Sequence, residues 1–386
     1  MRHLLLVTVE NPYDPKSWSG TPYNILKSLE NRFDKITVIS SPIPKKGYLD
    51  SFLRLILGRK KYPLWMTNTA LKAYAKHFDE TVRKSHPDAV LCISSQHLIY
   101  AKELNLPVFM ISDAPWIAYK EAYKNYEALP LLAYKFAKQE AEVARRISAV
   151  IYPTPWACKE AESRFGIPKD KIKLLSFGAN SYCADSDEKI FCRISERKLD
   201  TLKFLYIGKD WERKGGPLAL DIVQLVNNSG FNASLHIIGC NPSIDEAMRQ
   251  YVCEYGYLSP GNPDDRITME NAFSQADFFL VPSYAECFGL VFAEAQSYGL
   301  PCISLNSHGI PGVVENGKTG LLFDHAASAE LIAEEVVKLI KDRVAYQNMA
   351  IAARAKFSNE LNWSCFGHKL HELIQNHDEA DKTVHD

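Results

Sequence analysis

No two of the nine cysteines form a C-x-x-C pair, and several sit inside apolar runs such as AVLCIS and PCISL. This speaks against a zinc site and a disulfide framework, and reduced, mostly buried thiols of a cytoplasmic protein are the simplest reading. Nor does the chain start on a long hydrophobic run. Leu4–Val9 is a mostly apolar stretch of six residues before Glu10, too short for a signal peptide or a membrane span, and it reads as a buried first strand. Charge of one sign is also missing: the formal net charge is -1, so bulk electrostatics favour neither nucleic acid nor an acidic partner. No G-x-G-x-x-G follows the first strand, where NPYDPKSWSG stands instead, and this weakens a dinucleotide-dehydrogenase reading. Internal repeats of 20–50 residues and low-complexity tracts are not seen.

What is present is an alternation of short β-branched runs with longer amphipathic stretches. At 386 residues, two domains are the default. Strands are expected at Leu4–Val9, Lys35–Ser40, Ala89–Ser94, Val108–Ser112 and Ala149–Tyr152. Pro22, Ile25, Leu26, Leu29 and Phe33 mark one face of the helix after the first strand. The stretch 181–200 is polar, shows no long periodic face and reads as a hinge-like linker. Alternation then resumes at Lys203–Gly208, Ser234–Gly239, Asp277–Pro282, Pro301–Leu305 and Gly320–Phe323. Continuous apolar strands separated by helices indicate parallel sheets covered on both faces. The expected architecture is therefore α/β, with two Rossmann-like, doubly wound domains over 1–180 and 181–362. A C-terminal helix over about 363–386 is expected to pack back on the first.

Two segments of the second half carry chemistry. SYAECFGLVFAEAQSYGLP, Ser283 to Pro301, places Glu286 and Glu294 eight positions apart around Phe288–Gly289–Leu290, where a loop becomes a helix. Backbone N–H groups near Cys287 to Leu290 lack helical partners, and the positive end of the helix suits a phosphate. Glu294 lies roughly 8 Å further along the helix by its rise per residue, where a carboxylate can take both hydroxyls of a ribose. The plain alternative for the glutamates is a helix-terminal charge and a solvated surface acid. The second segment, YIGKDWERKGG, supplies Lys209, Arg213 and Lys214 with two glycines between a strand and a helix, and it is not a Walker A loop. A lysine and an arginine there can neutralise a diphosphate leaving group, whereas the plain reading is a solvated loop.

These residues resemble the retaining glycosyltransferases of family 4, which have the GT-B fold. Glu286 and Glu294 match the E-x7-E signature, Lys214–Gly215 its lysine–glycine turn, and Gly299, Pro301, Gly309, Gly317 and Gly320 the segment that follows. Ser176–Asn180 resembles the segment closing the family's first domain. The resemblance implies two domains facing across a cleft. It also implies ribose at Glu294, diphosphate at Arg213 and Lys214, and the donor sugar at Glu286 and the backbone of Cys287, Phe288, Gly289 and Leu290. Many members carry Gly-Arg where this chain has Lys209, which then serves as a point charge or leaves the work to Arg213. The implied activity is retaining transfer of a sugar from a nucleotide-diphosphate sugar to a glycan or glycolipid. Bacterial surface-polysaccharide synthesis is the implied setting, with no cofactor beyond the co-substrate and no metal.

The first half offers weaker candidates. Gly20 follows the first strand, and in the family this loop lies against donor phosphates; an ordinary turn with Thr21 capping the helix explains it equally. Asp113 ends a strand, as a substrate ligand or a cap. His97 and His308 stand at other strand ends as candidate sugar or acceptor contacts. Leu49–Met66 mixes aliphatic, aromatic and basic residues, which fits peripheral contact with a cytoplasmic membrane face or a buried helix ending in a basic turn. Rivals to transfer are a sugar-nucleotide epimerase on the same fold and a non-catalytic nucleotide-sugar binder.

Overall fold

Leu4, Leu5 and Leu6 are fully buried, which is why the first strand reads as an unbroken apolar run. A computed structural model describes residues 3–40, 52, 55–58, 67–93, 96–123, 130–259 and 261–383. The chain divides into two compact units, Met1–Ser176 with Trp363–Asp386, and Phe177–Asn362. The division thus falls between Ser176 and Phe177 rather than after residue 180: Ala179 N–H already bonds Leu361 O within unit 2 (2.9 Å).

Unit 1 holds β1 (His3–Thr8), β2 (Lys35–Ser40), β3 (Ala89–Ile93), β4 (Val108–Ile111), β5 (Ala149–Tyr152) and β6 (Ile172–Leu174). They form one sheet in the order β2-β1-β3-β4-β5-β6, with every pairing parallel. The strands expected from sequence are present within a residue or two at each end. β6 was not expected, because it is a three-residue edge strand whose residues are only partly buried or exposed. The helix Thr21–Leu29 lays Pro22, Ile25, Leu26 and Leu29 on the core. Against it packs the last helix, Trp363–Thr383, with Phe366, Leu370 and Ile374 fully buried at one-turn intervals. Each such side chain contributes about 1.5–3 kcal/mol by leaving water. Close approach is secured at Gly367, where a Cβ would stand 2.5 Å from Ser28 O.

Unit 2 holds β7 (Thr201–Ile207), β8 (Asn232–Ile238), β9 (Val252–Gly256), β10 (Phe278–Leu280), β11 (Cys302–Leu305) and β12 (Gly320–Phe323), again all parallel, in the order β12-β11-β10-β7-β8-β9. β9 escapes the sequence pattern for the same reason as β6, since it is an edge strand with no fully buried residue. Phe204 and Phe278 stack across neighbouring strands with centroids 5.2 Å apart, and Tyr346 of the helix Arg343–Asn359 meets Phe278 edge-on.

The expected linker needs correction. Asp187–Glu196 is a helix, capped by Ser186, that buries Ile190 and Ile194, one turn apart. With only two apolar contacts its stripe is too short to stand out in sequence. Buried Arg354 fastens the chain before it, donating to Asp187 Oδ1 (2.7 Å), Asp185 O (2.7 Å), Cys183 O (3.3 Å) and Ser297 O. Asp185 is itself paired with Arg193 at 2.7 Å. This segment is therefore part of unit 2 rather than a free hinge. Most of Leu49–Met66 lies outside the described residues. Among the described residues, no helix is long and apolar enough to cross a membrane.

Candidate functional site

Sheet growth in unit 2 reverses at β7, with β8 and β9 added on one side and β10, β11 and β12 on the other. Doubly wound sheets bind ligands outside the carboxyl ends of their strands at such a reversal. The two segments singled out in sequence leave these two central strands, Gly208–Gly216 after β7 and Val281–Gly289 after β10. They are pressed together. Gly215 has φ 71°, and a Cβ on it would stand 2.1 Å from Pro282 O, so only glycine fits there. Tyr284 N–H bonds Arg213 O across the same gap (2.9 Å).

That closeness brings Arg213, Lys214 and Glu286 into one buried cluster. Glu286 Oε1 accepts from Lys214 Nζ (2.7 Å), Arg213 Nη1 (3.2 Å) and Ser283 Oγ (3.4 Å). Arg213 is further held by Ala285 O (2.6 Å) and by Asp210 (3.3 Å). Glu286 is 5% exposed. Burial pushes its carboxyl up, but the Lys214 and Arg213 charges more than offset this and hold it below the ordinary value. The cluster thus sets Lys214 and Arg213 against buried Glu286 and the more exposed Asp210 at the mouth of a helix.

The helix is Leu290–Ser297, and Gly289 caps it at φ 86°. A Cβ on Gly289 would come within 2.7 Å of the Phe292 ring, so the chain meets the helix through a bare backbone. Cys287 and Phe288 are buried, and the Phe288 ring lies 5.4 Å from Phe177, so these two offer a ligand their backbone rather than their side chains. Leu290 is half-buried. Glu294 sits further along, where its Oε1 accepts from Ser181 N–H (3.2 Å). Burial raises its carboxyl to about 7, with the Ser181 N–H, the Lys214 charge and the Asn180 N–H pulling the other way. Lys214 therefore acts on both glutamates.

The remaining candidates are placed differently. Lys209 lies 4.8 Å over the Tyr257 ring, a cation–π contact. His308 follows β11 and pairs through Nδ1 with Ser307 Oγ (2.7 Å). In unit 1, Gly20 (φ 86°) is the residue that caps the helix, and Thr21 is the first helical residue, so the alternative of a Thr21 cap does not hold. Asp113 accepts from Trp18 Nε1 (3.1 Å), and this bond ties the loop after β1 to the loop after β4. His97 falls in the turn Gln96–Tyr100, and its side chain lies outside the described residues.

Sequence reasoning missed several contributors. Ser181 bonds Glu294 through its backbone, which leaves no side-chain signal. Buried Glu140 holds the loop after β4 by accepting from Trp116 N–H (2.8 Å), and burial raises its carboxyl to about 7. An acid on a helix otherwise looks solvated. The stretch GVVENGKT, 312–319, has the letters of a Walker A loop. In the structure it runs into strand β12 rather than a helix, and Lys318 pairs with Glu315 at 2.8 Å, so it is not a phosphate loop.

Residues 187–356 match the family model of the glycosyl transferases group 1. A D-inositol 3-phosphate glycosyltransferase of Corynebacterium diphtheriae is 24% identical over 249 residues, 61% of this chain and 57% of that one. An uncharacterized 41.2 kDa protein in the cps region of Klebsiella pneumoniae is 29% identical over 161 residues, 41% of this chain and 42% of that one. The matches thus span about half the length of these relatives. Among solved structures, a glycosyltransferase from Rickettsia africae superposes with a TM-score of 0.64 at 16% identity, covering 97% of this chain and 98% of that one. HepE of Anabaena, solved with UDP, gives 0.64 at 15% identity, covering 97% and 100%. At such identities the likeness shows the fold, which is that of the GT-B glycosyltransferases with two Rossmann-like units.

Proposed function

We propose that the protein is a retaining glycosyltransferase, of the family 4 type, that takes a nucleotide-diphosphate sugar as donor and a glycan or glycolipid as acceptor. The observation that carries this reading is the buried Arg213–Lys214–Glu286 cluster beside the Gly289 helix start, at the reversal point of a sheet within the group 1 family match. An arriving diphosphate competes with Glu286 for the two cations. Lys214 and Arg213 then neutralise the charge that grows on the diphosphate as the glycosidic bond breaks, with the N–H groups beyond Gly289 assisting. Glu294 accepts the ribose hydroxyls, and Glu286 and the loop backbone face the sugar. The acceptor attacks from the face the diphosphate leaves, with a departing phosphate oxygen as the base. The two cations supply the positive charge, so the reading assigns no metal and no cofactor beyond the co-substrate. Surface-polysaccharide assembly at the cytoplasmic face of a membrane suits the relative encoded in a cps region.

A thermal-shift screen of UDP, GDP, ADP and their sugar conjugates tests it. A ligand at a hundred times its dissociation constant should stabilise by about 2.7 kcal/mol. No shift with any nucleotide sinks the reading. Rapid isomerisation of the donor without acceptor would make the protein an epimerase instead.

A further inference from the structure

His308 has φ 46° and is, among the described residues of unit 2, the only non-glycine residue in the left-handed region. A glycine stands next to it at 309, and the unit uses glycine at its other left-handed positions. Strain of this kind persists where the surroundings over-determine it, and it clusters at ligand sites. Both flanks of His308 are stitched to the loop after β10. Ser307 Oγ donates to Tyr284 O (2.7 Å), and Gly309 N–H donates to Glu286 O (2.9 Å). Since the single Ser307 hydroxyl proton goes to Tyr284 O, Ser307 Oγ accepts from His308 Nδ1–H, which puts the lone pair of the neutral ring on Nε2.

The ring does not stand alone. His325, exposed after β12, lies 6.4 Å from the His308 ring and 6.0 Å from the ring of Tyr284, itself 41% exposed. Three successive strand ends thus bring together one tyrosine and two imidazoles. Tyr284 is two residues from Glu286, whose carboxylate touches both cations of the cluster. A pyranose has an apolar C–H face that packs on an aromatic ring, and hydroxyls that donate to and accept from imidazole.

We propose that Tyr284, His308 and His325 form a hexose subsite that selects the sugar of the donor. This rests on the nucleotide-sugar reading above. Tyr284 shares its loop with Glu286, and Gly309 beside His308 bonds Glu286 O, so the subsite adjoins the proposed diphosphate site and a sugar attached to that diphosphate reaches it without a second binding event.

The test measures dissociation constants by titration calorimetry. It uses bare UDP, GDP and ADP, and then the glucose, galactose and N-acetylglucosamine conjugates of whichever nucleotide binds tightest. Wild type should spread the conjugates over about tenfold or more, and H308G and H325A should compress the spread below about threefold, as expected when hydrogen bonds that read hydroxyls are removed. Bare nucleotide should change by less than about twofold, because the diphosphate ligands are untouched. H308G should also melt no lower than wild type, since glycine adopts this backbone without strain; H325A, at an exposed position, keeps the test valid if it does not. A spread retained in both variants overturns the subsite. So does an equal affinity of wild type for all conjugates, or a loss of bare-nucleotide affinity as large as the loss for conjugates, which would make these residues phosphate ligands. Wild type that binds no nucleotide at all sinks the functional reading itself, and the subsite with it.

Discussion

The two units repeat one plan, six parallel strands whose order reverses beside the first strand, yet among the described residues only unit 2 pairs opposed charges between two loops at that reversal. In unit 2 the loops after β7 and β10 meet through two cations and a carboxylate. In unit 1 the loop after β1 carries Trp18 and Ser19 in left-handed backbone, and the Trp18 indole donates a hydrogen bond to Asp113 after β4. Topology supplies the same mouth twice. In the proposed reading, side-chain charge selects the unit 2 mouth for the diphosphate, because a parallel sheet end offers N–H groups but no net charge of its own.

The comparison can be broken most strongly at the buried arginine of unit 2. Arg354→Ala leaves three carbonyls and the 40% exposed Asp187 under-satisfied and should cost roughly 3 kcal/mol in denaturant unfolding, as for buried polar groups that lose a charged donor. Its counterpart in unit 1, Arg164, reaches Glu121 (2.6 Å) and Glu160 (3.0 Å) from a side chain 41% exposed, and Arg164→Ala should cost only about 0–1 kcal/mol. Equal losses would mean that burial does not separate the two networks.

Lys214→Ala comes next. Turnover should fall on the order of 10²–10³, the range for removing one transition-state charge stabiliser, while acceptor KM moves little. Rates within a few-fold of wild type would place the leaving-group site elsewhere.

A third contrast concerns protons. The folded Glu294 carboxyl titrates near 7 and the unfolded one near its ordinary value. The protonated form therefore stabilises the fold fully below the ordinary carboxylate range, and that contribution is lost as pH rises to about 7. Glu294→Gln lacks this loss. Without nucleotide, its stability should gain on wild type by roughly 1–3 kcal/mol between pH 5 and 7.5 and stay level above that. A pH-independent difference would show an ordinary, solvated acid. The smallest effect belongs to unit 1: Trp18→Phe removes the bond to Asp113 and should cost about 1 kcal/mol. A change in nucleotide affinity on Trp18→Phe would show that the unit 1 loop is also a phosphate site.

Much of this was legible in sequence because its signals are local. The ten expected strands are apolar runs, and Gly215 and Gly289 stand where a side chain would collide, with the Pro282 backbone and the Phe292 ring respectively. The E-x7-E spacing put Glu286 in the loop before one helix and Glu294 within it. The parts that escaped are non-local or short. β6 and β9 are edge strands with too little burial to leave a pattern. The helix Asp187–Glu196 has two apolar contacts, and what holds it is an arginine 167 positions later in the chain.

The amino-acid sequence by itself determined the class of fold and which residues bear charge, since burial period and turn chemistry act over a few residues. Tertiary structure alone decided how those charges are used. It placed Lys214 2.7 Å from Glu286 and so kept that carboxylate ionised. It half-buried Glu294 against the Ser181 backbone and raised its carboxyl to about 7. It also gathered Tyr284, His308 and His325 from three strand ends. The physical reason is distance: desolvation and Coulomb attraction depend on what stands within a few ångströms, and chain separation says nothing about that until the sheet has formed.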